Sequence, residues 1–259
     1  MTLPRPLVLP AVVAGMVLTL PLLGLITGVP WTRFGSLIAA PATTSALWLS
    51  LWTSALSAIG CILLGTPLGW LFARGRFRGQ GALRALVLTP LVLPPVVAGV
   101  ALLAAFGRTG LIGAPLRAAF GISLPYTSMA VVLAHIVVGL PFFVLGAEAA
   151  FRSLPPRVDQ VAHTLGADPW TMFRRVALPL AAPGLAAATV LAWARSLGEF
   201  GPTITFAGNY PTTTRTLPLE VYTQLHQDPE AAIAVSMLLF GICVLTLIAL
   251  RERWWGALR

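Results

Sequence analysis

The stretch DQVAHTLGADPWTMFRRVALP, Asp159 to Pro179, interrupts a chain otherwise dominated by Leu, Val, Ala, Gly and Pro. It sets two aspartates, two arginines and a histidine around one glycine. Pro155 and Pro156 break from the preceding apolar run, and Pro156 suits the first turn of a new helix. Val158, Val161, Ala162 and Leu165 then recur at helical spacing and make one apolar stripe. Gly166 stands where helices commonly end in a left-handed residue. Asp168-Pro169 reads as an N-cap followed by a first-turn proline. Trp170, Phe173 and Ala177 continue a second apolar face, Arg174 and Arg175 take another, and Pro179 opens the next apolar run. The unit is helix, glycine turn, helix. By itself it is either an amphipathic linker resting on anionic lipid or a docking element for another protein.

The rest of the chain places that unit. Hydrophobic residues fill 57% of the 259 positions and charged residues only 10%. A soluble domain needs roughly 25% charge to solvate its surface. Most of this surface therefore faces lipid, and the chain reads as an all-α polytopic membrane protein forming a single transmembrane domain over residues 1–259. A bilayer core needs about 20 apolar residues per helix. Six runs qualify, at about 7–28, 44–73, 83–106, 126–147, 180–200 and 231–250, with a polar connection at 152–179. The first reads as a retained helix, because no small-residue cleavage pattern follows it.

All 17 basic residues are arginine. Twelve of them flank one side of the spans: Arg5, then the groups at 74–84, 152–175 and 251–259. Four flank the other: Arg33, Arg108, Arg117 and Arg215. Arg195 lies inside the fifth span. The positive-inside rule then puts both termini and the Asp159–Pro179 stretch in the cytoplasm. Trp254 and Trp255, just past the last run, suit an interfacial aromatic belt. A net charge of +9 without a continuous basic face excludes nucleic acid as a partner. Cys61 and Cys243 lie in apolar runs and read as small hydrophobes, with no metal site among the motifs.

A specific spacing sits inside the cytoplasmic stretch. Gly166 is followed by nine residues and then Val176-Ala177-Leu178-Pro179. This resembles the signature of ABC importer permeases, in which Glu-Ala-Ala, three residues, Gly and nine residues precede Ile-x-Leu-Pro. The Glu-Ala-Ala positions fall on Gln160, Val161 and Ala162. The literal Glu148-Ala149-Ala150 lies twelve residues too early and is not assigned that role. The resemblance implies a type I ABC importer permease fold. It also implies that Gln160, Val161, Ala162, Gly166, Ala167, Asp168, Trp170, Phe173, Leu178 and Pro179 couple to a separate ATPase subunit. The chain has no phosphate-binding G-x-x-x-x-G-K-[ST] loop of its own. It is therefore expected to be a transport subunit and not an enzyme, with ATP-Mg bound by the partner.

A second stretch, RSLGEFGPTITFAGNYPTTTRTLPLEVY, Arg195 to Tyr222, bears on what is carried. Arg195 and Glu199 stand four apart on one helix face. They are either an ion pair tying the helix end or a cation presented to an anion, since ionisable groups at membrane depth usually face a cavity or a partner. Arg-x-x-Gly-Glu-Phe-Gly, Ala207-Gly208-Asn209, Thr216-Leu217-Pro218-Leu219 and LTPLVLPPVVAGVALL (Leu88–Leu103) together resemble the molybdate permease family. Sulfate and thiosulfate permeases share the Gly-Glu-(Phe/Tyr)-Gly core, and TRTLPLEVY resembles the molybdate and tungstate type. The resemblance implies two copies around a central pathway, two ATPase subunits beneath and an extracytoplasmic oxyanion-binding protein. Candidate pathway or gate residues are Arg195, Gly198, Glu199, Gly201, Pro94, Pro95, Thr203 and Asn209, with Thr205 as a further neutral donor. Pro94-Pro95 is expected to kink the third span.

Three other readings are weaker. A polytopic enzyme lacks any paired carboxylates or nucleophile with a base. An ATP-independent secondary transporter would show internal repeats and more intramembrane acids than Glu199. His135, alone in the fourth span, reads as a hydrogen-bonded packing residue, and His163 and His226 as surface groups.

Overall fold

The computed structural model describes residues 5–164 and 166–257, and among these every regular element is helical. Helix α1, Arg5–Gly28, stands almost entirely exposed and meets the rest of the chain through its C-terminal end, where Gly28 faces Ile233. A short turn, α2 (Phe34–Ile38), leads into α3, Pro41–Arg74. At 34 residues and about 1.5 Å each, α3 outruns a hydrocarbon core of about 30 Å and projects past the membrane. Pro41 starts it and Gly75, in extended backbone, stops it.

The expected third span is not one helix. Residues 83–106 divide into α4 (Gln80–Leu88), a 3-10 turn (Thr89–Leu91) and α5 (Pro95–Phe106), and the two parts meet at 116°. The cause is local. Pro95 pushes Pro94 into extended backbone, ψ 136°, because the residue before a proline is crowded out of the α region. Pro95 then starts a fresh helix, where its missing N–H costs nothing. The kink expected of this pair is a full break, and α5, twelve residues long, is too short to span alone.

Helices α6 (Gly113–Phe120) and α7 (Ser128–Arg152) follow, the second longer than the 126–147 run. Then come α8 (Pro156–Thr164), a helical turn α9 (Pro169–Thr171), a π-helical stretch (Met172–Ala177) and α10 (Leu178–Leu197). The fifth span was expected to open at Pro179. It runs unbroken from Pro169 to Leu197 instead. Pro179 has no N–H for the carbonyl four residues back, and the chain accommodates this by widening: Leu178 N–H bonds the carbonyl of Phe173, five residues back. A second π-helical stretch (Thr203–Ala207), α11 (Leu217–Gln227) and α12 (Pro229–Ala257) complete the chain. Helix α11 lies in what the sequence presents as a loop.

The core is α3 against α7 against α10. Cys61, Phe143, Ala147, Phe151, Ala188 and Ala192 are buried there. Small residues let the backbones approach, as membrane packing requires. A Cβ on Gly69 would lie 2.6 Å from that of Ala147, and one on Gly139 would lie 2.7 Å from Ser196 Oγ. Hydroxyls join the same seam: Ser57 Oγ is 3.2 Å from Ser196 Oγ, which lies 3.1 Å from the His135 carbonyl. The His135 ring itself is buried with no hydrogen-bond partner for either nitrogen among the described residues, against the hydrogen-bonded role expected. His226 is exposed beside Tyr222, as expected. Leu165 and Arg259, and the side chains of Arg5, His163, Arg251, Arg253, Trp254 and Trp255, lie outside the described residues.

Candidate functional site

The segment from Pro156 to Pro179 folds as its residues dictate. Gly166 takes φ +76°, a left-handed conformation that glycine adopts without strain. Ala167 N–H then bonds the Ala162 carbonyl at 2.9 Å, the six-to-one closure that satisfies a helix C-terminus. Asp168 caps the next helix: Oδ1 accepts from Trp170 N–H at 2.9 Å and Thr171 N–H at 3.1 Å. Its Oδ2 accepts from the Thr171 hydroxyl at 2.6 Å. That hydroxyl bond, followed by the backbone donors, holds the Asp168 carboxyl below the usual carboxylate range.

Helix α8 packs through buried Ala162 and half-buried Val158, while Val161, expected on the same stripe, is 58% exposed. Trp170, across the glycine turn, is 64% exposed. Gln160, Gly166, Asp168 and Pro179 are also exposed. Ala167, Phe173 and Leu178 turn inward instead, and with them buried Met172 and Ala177 anchor the segment to the main core. The Phe173 ring lies 5.3 Å from Trp70 and 6.2 Å from Phe151. The ten coupling candidates thus divide into an exposed rim and a set of anchors.

Beside this segment lies a feature the sequence reading passed over. Glu148, from the displaced Glu-Ala-Ala, is 3% exposed. Its carboxylate lies 3.2 Å from Arg84 on α4 and 2.8 Å from Arg152 on α7. Arg152 also donates to the Phe72 carbonyl of α3 at 3.2 Å. One carboxylate, with its partner Arg152, therefore ties α3, α4 and α7 together. The Glu148/Arg152 spacing of four was a visible signal; Arg84 had none.

At the outer end of α10, Arg195 Nη1 meets Glu199 Oε2 at 2.6 Å, with Glu199 2% exposed. The guanidinium also lies 6.0 Å from the Phe142 ring centre. The pair expected from spacing is formed, so the Arg195 charge is already answered by a carboxylate just past the end of its helix. Just beyond it, a Cβ on Gly201 would lie 2.5 Å from Pro95 Cβ, and one on Gly99 would lie 2.5 Å from Thr205 Cβ. The broken third span and the segment that follows α10 touch here, bringing Pro95 and Gly201 together; Pro94 is exposed.

The neutral donors are less available. Thr205 donates to the Gly201 carbonyl at 2.9 Å. Asn209 accepts from Arg215 Nε at 3.0 Å and donates to Thr223 at 3.0 Å, which spends both ends of its amide. Arg215 reaches buried Glu220 at 3.4 Å, and Gln224 donates to the same carboxylate at 2.7 Å. This network holds the 208–216 loop on α11. Of the candidate donors, Thr203 is the one that keeps a buried hydroxyl with no partner among the described residues.

The chain as a whole is similar to known proteins. Residues 65–256 match the family described as binding-protein-dependent transport system inner membrane component. The chain is 49% identical to the molybdenum transport system permease protein ModB of Mycobacterium tuberculosis, over 97% of this chain and 95% of that one. It is 39% identical to the protein of the same name from Escherichia coli K12, over 81% and 91%. Among solved structures, a bacterial ABC transporter that imports the polysaccharide alginate superposes with TM-score 0.74 at 18% identity, over 96% of this chain and 92% of that one. The MetNI methionine ABC transporter superposes with TM-score 0.64 at 20% identity, over 82% and 94%. These two likenesses establish the fold, that of ABC importer permeases. The chain is a multi-pass member of the inner membrane components of binding-protein-dependent transport systems.

Proposed function

We propose that this chain is the membrane-spanning permease subunit of an ATP-driven molybdate importer, with tungstate taken by the same route. The observation that carries the substrate is the 49% identity to a molybdenum permease across 97% of the chain. The oxyanion arrives on an extracytoplasmic binding protein, and ATP-Mg is hydrolysed by separate subunits on the cytoplasmic side.

The capped turn around Gly166 is the point of force transfer. Gln160, Val161, Gly166, Asp168 and Trp170 form the rim that a partner ATPase grips; Ala162, Ala167, Phe173 and Leu178 hold that rim to the core. Because helix runs without interruption from Pro169 to Leu197, displacement at Trp170 is passed along a stiff rod to Gly198, Glu199 and Gly201. There the rod bears on Pro95, where the third span is already broken, so an angular change between α4 and α5 opens or closes the path. This is hinge motion at element ends. Pro94 and Thr203 adjoin the same joint in sequence, while Asn209 belongs to the network that holds the following loop on α11. A second copy of the chain supplies the other wall, and the exposed length of α1 supports such pairing.

The test is ATP hydrolysis by vesicles holding the permease, its ATPase and binding protein. Molybdate-loaded binding protein is expected to raise the rate, and sulfate-loaded protein not to. No response to molybdate-loaded protein sinks the substrate assignment. Gly166→Val forces a side chain into a left-handed turn at about 1–2 kcal/mol. It is expected to release the ATPase from a still-folded permease, and normal ATPase co-purification in that variant removes the docking role.

A further inference from the structure

Two cavities meet where α3 leaves the membrane. The first, about 900 Å³, is lined by Leu63, Leu64, Pro67, Leu68 and Leu71 of α3, closed by Leu140 and by the aromatic pair Trp170 and Phe173. Leu63 and Leu64 are 68% and 53% exposed, so the groove opens sideways toward lipid. The second, about 420 Å³, continues past the helix end and is lined by Arg74, Gly75 and Arg76 with Ala73 and Met172. Trp70 and Pro169 line both, so the two are one channel with an apolar half and a basic half.

We propose that this channel seats one anionic phospholipid of the cytoplasmic leaflet. Its acyl chain lies along Leu63–Leu71, and its phosphate sits between Arg74 and Arg76.

Dimensions, charge and depth agree on that occupant. From Leu63 to Arg74 the helix rises about 16 Å at 1.5 Å per residue, close to the 15 Å or so of one leaflet. A phospholipid therefore reaches the arginines with its headgroup when its chain fills the groove. Trp70 stands at the change from apolar to basic, the level at which indole rings settle in membranes. Arg74 is held in place: it donates to the Leu154 carbonyl at 3.3 Å and lies over the Trp70 ring at 5.9 Å. Arg76 is exposed and makes no ion pair or hydrogen bond among the described residues. Basic pockets between transmembrane helices on the cytoplasmic side are suited to anionic headgroups. The groove's far wall is Pro169-Trp170, which begins the rod proposed for coupling. A seated lipid thereby braces that rod against α3. The site rests on the orientation of the chain and not on which oxyanion is carried.

The experiment is native mass spectrometry of the full transporter complex, exchanged into nanodiscs of phosphatidylglycerol or of phosphatidylcholine. The wild type is expected to retain one phosphatidylglycerol per permease and to discriminate against phosphatidylcholine. Arg76→Gln should lower that preference about fivefold, the equivalent of about 1 kcal/mol for one interfacial arginine; Arg76→Lys should restore it. Leu64→Trp fills the groove and should abolish retention while leaving both arginines in place. Thermal unfolding of each variant establishes that it is folded, and molybdate-stimulated ATP hydrolysis is read separately. Equal retention of the two lipids, or retention unchanged by both Arg76→Gln and Leu64→Trp, overturns the site. So does efficient cross-linking of Leu64→Cys between two copies, which would show that a second chain covers the groove.

Discussion

Two glutamates at opposite ends of the core, Glu148 and Glu199, have the same local chemistry and different consequences. Each is buried, and each meets an arginine four residues away in sequence, Glu148 within α7 and Glu199 just past the end of α10. Glu148 has a second partner, Arg84, on another helix, and through Arg152 it reaches the backbone of α3. Glu199, just past the end of α10, has Arg195 of that helix as its one ion-pair partner among the described residues. The first pair is therefore a clamp between elements, and the second neutralises a charge at the end of one. The sequence makes them look alike; only the long-range partner separates a structural carboxylate from one that is free to take part in a moving joint.

The comparison breaks most readily at Glu148. Removing one partner of a buried ion pair costs about 3–5 kcal/mol. Arg84 and Arg152 keep 41% and 54% side-chain exposure, so Glu148→Ala is expected to cost less, about 2–3 kcal/mol. It should appear as a lower unfolding temperature in detergent, with substrate-stimulated ATP hydrolysis falling only as folded protein is lost. A folded, fully stable Glu148→Ala protein would dissolve the distinction between the two carboxylates. Arg84→Gln removes the interhelical half alone and should give a smaller loss of stability, with Arg152 still paired. Equal effects from Arg84→Gln and Glu148→Ala would mean that the intrahelical bond contributes nothing.

Glu199→Gln is expected to lower stability by about 1 kcal/mol, because Arg195 retains 36% exposure. Its effect on molybdate-stimulated ATP hydrolysis should exceed what that loss explains, since the substitution uncovers a positive charge beside the joint of Gly201 and Pro95. Stability and stimulated rate falling in proportion would return the pair to a purely structural role.

The smallest effect is expected from a third carboxylate, Asp168, which lies in water and contacts only its own turn. Its carboxyl is held below its ordinary value of 3.8 by the Thr171 hydroxyl. A depressed pKa stabilises the cap above the unfolded value and ceases to do so as pH falls through the folded one. Amide exchange at Trp170 and Thr171 should be slower in the wild type than in Asp168→Asn by a constant factor from pH 5 to 7. That factor should shrink below pH 4. A factor that changes between pH 5 and 7 would point to another titrating group.

How far the residues disclosed the fold depends on the range of the forces involved. The Gly166 turn and the Asp168 cap were legible because a left-handed C-terminus and an Asx cap are decided within four residues. Arg195–Glu199 was legible for the same reason. The break between α4 and α5 was half legible: Pro94-Pro95 announced a disturbance, but a bend of 116° depends on what the two halves pack against, here Thr205 and Gly201. Helix α11 was missed because its stability comes from Glu220, Arg215, Asn209 and Thr223 meeting across a loop, and from Leu217 N–H donating to Ser50 at 2.7 Å. Asn209 read as a free donor until those partners were in place. Val161 was placed on a stripe by period alone, which cannot tell which edge of a short helix meets its neighbours.

The wide turn at Met172–Ala177 has a further consequence, best expressed as phase. A π-helical stretch behaves as one extra residue let into an α-helix, and one residue is about 100° of rotation. Everything beyond Leu178 is therefore turned by about that angle relative to an unbroken helix begun at Asp168. The insertion sets which way Arg195 and Glu199 point when Trp170 is held from below. Deleting a single residue there would keep the rod and its length nearly intact while aiming its outer end at a different neighbour. Coupling would then fail through a mis-set angle and not through any lost contact.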